Sequence, residues 1–286
     1  MESTFVLLGL AIAAAWIPAP RLGGIAVAPW VPLFGAAVLA GALAGVLAPV
    51  AIVALAVLCG FAAAARFAPR GRGLLTVVAA AWALALSLHV LPGFHAWTLF
   101  DGVRFSADSL PFKAALNFDK PAAGLLLLVA LCRPGTGADA RRSLAWTSGA
   151  AIVTPVVAIG VAVLAGFTRF EPKWPDDGAV FLAANLLFTC VAEEAFFRGL
   201  IQERIARLAD DGGRPAWRGI AVVVAAVLFG LAHAGGGPLY MLLAGIAGLG
   251  YGVVYATTRR IESAILVHFA LNAAHFVGFA YPALAR

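Results

Sequence analysis

Long apolar runs separated by short polar segments are the feature that most limits how this chain can fold. Ten such runs lie at about residues 3–18, 24–46, 49–65, 74–92, 118–132, 146–168, 178–200, 216–234, 238–257 and 261–281. About 20 apolar residues suffice for a helix to cross a bilayer. Because 63% of the 286 residues are hydrophobic and only 12% are charged, a soluble domain is excluded. The sequence predicts an all-α, polytopic transmembrane helix bundle of about 8–10 spans.

Two regions leave the number of spans open. Pro29, Pro32 and Pro49 interrupt the second and third runs, and proline bends or ends a helix because it lacks a backbone donor. The run at 118–132 is short for a complete crossing and would have to include part of the preceding segment.

The basic residues are scattered between the apolar runs, although the net charge is +6. This distribution fits the positive-inside rule better than binding to nucleic acid, and it puts Lys120 at the outer end of its run. We therefore expect the partners to be the lipid bilayer and a membrane-associated protein or peptide, with no nucleic acid. The composition is typical of bacteria, so we expect a multi-pass protein of the bacterial inner (cell) membrane. Cys59, Cys132 and Cys190 lack the short spacing of a disulfide framework or a thiolate metal site.

Two outer loops carry features that allow more than one interpretation. The segment from Pro92 to Lys120 is long and rich in aromatic residues, and the segment from Arg169 to Asp177 is stiffened by two prolines. Anchoring of aromatic rings at the membrane interface is the favoured interpretation. A substrate entrance is the alternative.

The stretch VAEEAFFRGLIQER, residues 191–204, places ionisable side chains within an apolar run. Such groups are costly at membrane depth and therefore indicate a functional site. On an α-helix Glu194 and Arg198 share one face at i and i+4, whereas Glu193 points about 100° away. Glu193 is a candidate general base, since burial disfavours its charged form and suits it to proton transfer. A charged cluster that reaches the headgroups from a helix end is the alternative.

Further polar residues lie within apolar runs in the last third of the chain. In FGLAH, Phe229 and His233 are one helical turn apart, and in HFALN, His268 and Asn272 have the same spacing. The HAGGGP stretch that begins at His233 predicts a helix end beside a hydrated pocket. His275 follows two turns after His268, and a packed histidine is the favoured interpretation for it. Because unpartnered polar groups cost roughly several kcal/mol in hydrocarbon, the polar residues of these helices should lie near one another.

These motifs, in this order, resemble those of a known family. Glu193, Glu194 and Arg198 match EExxxR, Phe229 and His233 match FxxxH, and His268 and Asn272 match HxxxN. Over about residues 146–281 the chain is similar to the CAAX protease and bacteriocin-processing (CPBP, or Abi) family of intramembrane endopeptidases. The resemblance implies a CPBP-type catalytic transmembrane core at 146–281. The first 145 residues lie outside the resemblance; their apolar runs and charge distribution predict N-terminal transmembrane helices at 1–145, with an extracytoplasmic loop near 93–120.

The resemblance implies a glutamate-dependent endopeptidase that cuts a membrane-associated protein at a C-terminal sorting tail, a leader or a CAAX-like tail. Glu193 with His233 would activate a water, and His268 with Asn272 would stabilise the oxyanion. Glu194, Arg198 and Phe229 would support the structure of the site. A carboxylate and an imidazole suit proton transfer, and an amide and a second imidazole suit donation to a developing oxyanion.

Metal dependence is left open by the motifs. Glu193, His233 and His268 would be the ligands of a divalent metal such as zinc. They lack the HExxH spacing that is typical of zinc peptidases, so no metal and no other cofactor is the favoured expectation.

Two other functions compete with the peptidase. A proton-coupled transporter or channel would use the same buried carboxylates and histidines as a relay. The chain has no convincing internal repeat, which counts against a duplicated transporter. A catalytically silent scaffold or immunity protein is the third interpretation, and the presence of every motif residue places it below the first.

Overall fold

The computed structural model describes residues 1–22, 25–68, 70–132, 140–212 and 215–285, which are mainly helical. The helices are α1 (Glu2–Ala13), α2 (Trp30–Leu43), α3 (Pro49–Phe67), α4 (Arg72–Ser87), α5 (Asp119–Leu131), α6 (Ala140–Leu164), α7 (Gly178–Ala184), α8 (Val191–Glu194), α9 (Glu203–Gly212), α10 (Ala216–Leu231), α11 (Gly237–Thr258) and α12 (Ile261–Gly278). Strands β1 (Arg21–Leu22) and β2 (Ile25–Ala26) form one small sheet, and β3 (Trp97–Val103) and β4 (Phe112–Leu116) form another.

Each predicted apolar run coincides with a helix. Five helical segments within the described residues are long and apolar enough to cross a membrane: Pro49–Phe67, Ala140–Leu164, Gly178–Leu208, Ala234–Thr258 and Ile261–Gly278. Four shorter apolar helices accompany them: Glu2–Trp16, Trp30–Leu43, Arg72–Ser87 and Ala216–Leu231. These segments confirm a polytopic helical membrane protein.

The outward surface of α6 shows why these helices need lipid. Leu144, Ile152, Val156 and Leu164 are each at least 66% exposed. A row of exposed apolar side chains this long is unfavourable in water but is solvated by acyl chains. The surface of α6 therefore fits an integral membrane protein.

The chain forms two compact units that are not continuous in sequence. Unit 1 consists of Met1–Leu99, Ala114–Cys132 and Leu187–Ala195. Unit 2 consists of Phe100–Lys113, Arg133–Leu186 and Phe196–Arg286. The division after residue 145, inferred from the family resemblance, stays a prediction.

Unit 1 is organised around the short helix α5. Ala122, Leu125 and Leu127 on it are at most 1% exposed, and its 13 residues span about 20 Å. The guanidinium of Arg66, near the end of α3, donates to the carbonyl of Val129 at 2.8 Å, close to the C-terminal end of α5. The shortness predicted for run 118–132 is confirmed, and the helix is buried by its neighbours rather than by lipid.

The helices of unit 2 pack closely against one another. The hydroxyl groups of Thr147 on α6 and Ser263 on α12 form a hydrogen bond at 2.8 Å. A Cβ on Gly230 of α10 would lie 2.8 Å from the carbonyl oxygen of Met241 on α11. Small residues and hydroxyl contacts of this kind hold helices together where no hydrophobic effect acts between them.

Three aromatic residues of the long outer loop, Phe100, Phe105 and Phe112, pack inside unit 2. Phe100 is only 3% exposed and lies within 6.3 Å of the ring of Phe181. The rings of Phe181 on α7 and Phe276 on α12 stack at 3.9 Å, and Phe105 meets Phe276 edge-on at 5.1 Å. Anchoring of Phe100 at the lipid headgroups is therefore the wrong interpretation, because its ring is covered by protein.

The second outer loop runs along the end of α12. The backbone N–H of Lys173 donates to the carbonyl of Val277 at 2.7 Å, and that of Ala280 donates to the carbonyl of Arg169 at 2.9 Å. The Lys173 ammonium donates to the carbonyl of Phe279. Burial lowers the pKa of this ammonium. The loop is thus held by backbone hydrogen bonds to the C-terminal segment.

Candidate active site

The helical segment that carries the two glutamates is not α-helical throughout. Two π-helical segments, Asn185–Cys190 and Ala195–Gln202, flank the single α-helical turn Val191–Glu194. A π-helix bonds each N–H five residues back, and short π segments within helices are frequent at functional sites. The prediction of a regular α-helix across EExxxR is therefore wrong, because Arg198 lies in the second π segment.

Glu193 belongs to unit 1, where it forms an ion pair with Lys120 of α5. The Lys120 ammonium donates to Oε1 of Glu193 at 2.6 Å. The two side chains are 27% and 13% exposed, so the pair is largely shielded from solvent. The Coulomb attraction between the two charges is stronger here than at the surface, because the local dielectric constant is lower.

A carboxylate–histidine contact adjoins this ion pair at the start of α5. Asp119, 1% exposed, lies 2.8 and 2.9 Å from Nδ1 of His89 through its two carboxylate oxygens. Its Oδ1 also accepts the backbone N–H of Lys120 at 2.8 Å. His89 has a φ of 57°, a left-handed conformation that is uncommon outside glycine. Sequence reasoning missed Lys120, Asp119 and His89, although the adjacent Asp–Lys pair before an apolar run was a signal of buried charge.

Glu194 and Arg198 are both fully buried, Glu194 in unit 1 and Arg198 in unit 2. The Arg198 guanidinium donates to the carbonyl of Gly248 on α11 at 2.7 Å. It also lies 4.8 Å from the ring centre of Phe229 and 5.2 Å from that of Tyr251. Cation–π contact with two desolvated rings stabilises the guanidinium. Within unit 2, Arg198 thus ties the second π segment to α10 and α11.

Phe229 brings three of the predicted residues of unit 2 together. Its ring centre lies 4.7 Å from that of His233 and 5.6 Å from that of His268, and the guanidinium of Arg198 lies on it. His268 on α12 is 3% exposed and stacks on Tyr251 at 4.6 Å. The two motif histidines therefore flank one shared aromatic ring.

His233 lies just beyond the end of α10, as the glycine-rich stretch predicted. Its Nδ1 is 2.7 Å from the carbonyl oxygen of Phe229. Because a carbonyl only accepts hydrogen bonds, Nδ1 carries a proton, and Nε2 of the neutral ring is the acceptor. The backbone thus fixes a tautomer that suits proton transfer at Nε2.

Asn272 pairs with a residue that sequence reasoning did not select. Its Nδ2 donates to Oδ1 of Asn185 at 3.1 Å, and Asn185 begins the first π segment. One turn away on the same two helices, Phe181 stacks on Phe276. The signal for Asn185 was a lone amide within an apolar run. His275, the remaining histidine of α12, packs edge-on against Tyr281 at 5.1 Å.

The ligand set considered for a metal is split between the two units. His233 and His268 belong to unit 2, whereas Glu193 belongs to unit 1. Within either unit, the described residues form no group of three or more His, Cys, Asp or Glu side chains that fits a metal ion.

Residues 175–274 match the family model of the type II CAAX prenyl endopeptidase Rce1-like proteins. The matched segment contains all the residues of the EExxxR, FxxxH and HxxxN motifs. It therefore confirms the family resemblance of these motifs, while α5 with Lys120 lies outside it. Comparison with curated proteins and with solved structures gave no match.

Proposed function

We propose that this protein, whose residues 175–274 carry the match to the type II CAAX prenyl endopeptidases, is an intramembrane endopeptidase that hydrolyses a peptide bond of a membrane-associated protein. The observation that carries the proposal is that one 100-residue segment, 175–274, contains the family match and every predicted site residue. Glutamate and histidine side chains would activate the attacking water.

Glu193 and His233 are the groups that would act on the water. The Glu193 carboxylate would accept a proton as the water oxygen attacks the scissile carbonyl carbon. His233 would orient that water through Nε2, the nitrogen left as acceptor by the hydrogen bond from Nδ1 to the backbone. Proton transfer by a positioned side chain typically accelerates a reaction by about 10²–10⁴-fold.

His268 and Asn272 would stabilise the negative charge that forms on the carbonyl oxygen. Each carries an N–H group suited to an oxyanion, and such donors are most effective in a site shielded from water. An amide has two N–H groups, so the hydrogen bond from Asn272 to Asn185 is compatible with a second one to the oxyanion. The intermediate would then collapse, the C–N bond would break, and the proton held by Glu193 would pass to the leaving amine.

Glu194, Arg198 and Phe229 would support this site rather than react. Complete burial of Glu194 and Arg198 agrees with a structural role, because a mobile or reacting charge needs access to substrate or solvent. Phe229 would set the positions of both histidine rings through its contacts with them. Its replacement would therefore disturb water activation and oxyanion binding together.

We propose that the substrate is a bacterial membrane protein cut at a sorting tail or leader, with the enzyme in the inner membrane. The composition that indicated a bacterial source carries this choice, since prenylated CAAX tails are generally absent from bacteria. The exposed apolar surface of α6 fits an enzyme that meets its substrate within the bilayer.

The test compares membrane proteomes of cells that make the wild-type protein, Glu193→Gln or Glu2→Gln. Glu2 is an exposed carboxylate in the first turn of α1 and serves as the matched control. We expect new protein termini with the wild type and with Glu2→Gln, and at least about a hundredfold fewer with Glu193→Gln. A second pair is His268→Ala with the exposed His95→Ala as control. We expect His268→Ala to lose the new termini and His95→Ala to keep them.

Equal numbers of new termini with Glu193→Gln and with the wild type would overturn the proposal. Proton flux through liposomes that carry the purified protein, with no change in membrane-protein termini, would favour the transporter. If the cells show no new termini and the liposomes show no proton flux, the silent scaffold is favoured.

A further inference from the structure

Lys120 binds Glu193 within unit 1. We propose that Lys120 is a positioning residue for the reaction: its hydrogen bond fixes the direction of the Glu193 carboxylate. This inference rests on the proposed function of Glu193 as the base. The ammonium-to-carboxylate distance is 2.6 Å, and both groups are mostly buried.

The stability of α5 does not explain why a lysine stands at this position. Lys120 is the second residue of the helix, where the positive end of the helix dipole disfavours a cation. Burying an ammonium is also costly unless a carboxylate compensates it. Placing the cation here therefore opposes local stability, and its direct effect is on Glu193.

The neighbouring acid is engaged elsewhere and does not compete for Lys120. Both carboxylate oxygens of Asp119 contact Nδ1 of His89, and one of them also accepts the backbone N–H of Lys120. Asp119 thus fixes the backbone at the start of α5. The side chain of Lys120 is directed to Glu193, 73 residues further along the chain.

Both ends of α5 are held by contacts with other segments of unit 1. One turn after Lys120, Gly124 allows the helix to approach the backbone of Ala192, the residue before Glu193. At the other end, Arg66 binds the carbonyl of Val129. A reacting group held by packed elements keeps its geometry better than one on a mobile loop.

The chemical consequence follows from the hydrogen bond to one oxygen of the Glu193 carboxylate. Lys120 donates to Oε1 of Glu193 and so orients the carboxylate that would take the proton of the attacking water. A displacement of about 1 Å at a reacting group is enough to lower turnover by roughly a hundredfold.

The test measures kcat, KM and thermal unfolding of the full-length protein in liposomes. The probe is a peptide that spans a cleavage site identified by the comparison of wild type with Glu193→Gln. The variants are Lys120→Met, Lys120→Arg and the control Lys113→Met, whose lysine forms a 2.9 Å ion pair with Asp101 at the surface. We expect Lys120→Met to lower kcat by roughly a hundredfold with KM within about threefold of wild type. Lys120→Arg should restore kcat to within about tenfold, and Lys113→Met should match the wild type.

Wild-type kcat for Lys120→Met would overturn the inference, as would a rise in KM alone. An equal loss for Lys120→Arg and Lys120→Met would also overturn it, because hydrogen-bond donation to Glu193 would then not be the property that matters. If Lys120→Met does not fold, Lys120→Gln is measured under the same criteria. Activity of Glu193→Gln would instead refute the proposed function, so the two failures are distinguishable.

Discussion

Gly124 on α5 lies against the turn that carries Glu193 and has no room for a side chain. A Cβ at this position would be 2.4 Å from the Cα of Ala192 and 2.6 Å from its Cβ. Nonbonded carbon atoms prefer about 3.5–4.0 Å. Since the obstructing atoms belong to the backbone region of Ala192, rotation of a side chain cannot relieve the clash. In Gly124→Ala, α5 has to move away from the turn by about 1 Å.

That displacement gives two measurable effects. Overpacking of this kind costs about 1–3 kcal/mol of the free energy of unfolding. It would also lengthen the Lys120–Glu193 contact from 2.6 Å to about 3.6 Å, beyond hydrogen-bond range. We therefore expect kcat to fall by about tenfold or more, while binding of substrate changes little.

Gly60→Ala is the matched control, because Gly60 lies within α3 of the same unit and a Cβ there would meet nothing within 4 Å. Both variants gain helix propensity, so the difference between them isolates the clash. Unfolding in detergent and turnover in liposomes are the measurements. If Gly124→Ala is as stable and as active as Gly60→Ala, the packing of α5 on this turn is refuted.

Two further predictions concern Arg198 and metal dependence. Arg198→Lys should lower the free energy of unfolding by about 2 kcal/mol, because an ammonium loses the planar contact with Phe229. The exposed Arg218→Lys is its control and should change stability by less than about 0.5 kcal/mol; equal stabilities of the two variants would contradict the prediction. Incubation with 1,10-phenanthroline should leave cleavage unchanged, because the proposed proton transfers use side chains alone. A loss of activity that Zn²⁺ restores would show that the site needs the metal.

The helices were predictable because the lipid environment offers no hydrogen-bond partners to the backbone. Every N–H and C=O group at membrane depth needs a partner within the chain, so an apolar run of sufficient length becomes a helix. The predicted runs at 49–65 and 261–281 correspond to Pro49–Phe67 and Ile261–Gly278. The FxxxH spacing was informative for the same reason, and the rings of Phe229 and His233 are indeed adjacent.

The partners of the motif residues were not predictable from spacing. Helical periodicity relates residues three or four positions apart, whereas Lys120 and Glu193 are separated by 73 positions and Asn185 and Asn272 by 87. Lys120 looked like an outer loop residue because its run is short. The π segments were missed because motif spacing alone does not distinguish i→i+5 from i→i+4 hydrogen bonding.

The membership of Leu187–Ala195 in unit 1 has a consequence for modularity. The turn with Glu193 packs on a helix that lies some 60 residues upstream of it, before the segment that resembles known endopeptidases. A fragment cut at residues 175 and 274 would keep every motif residue and lose the ammonium that binds Glu193. A transplant of this chemistry into another scaffold would therefore have to include Asp119–Leu131 as part of the active unit.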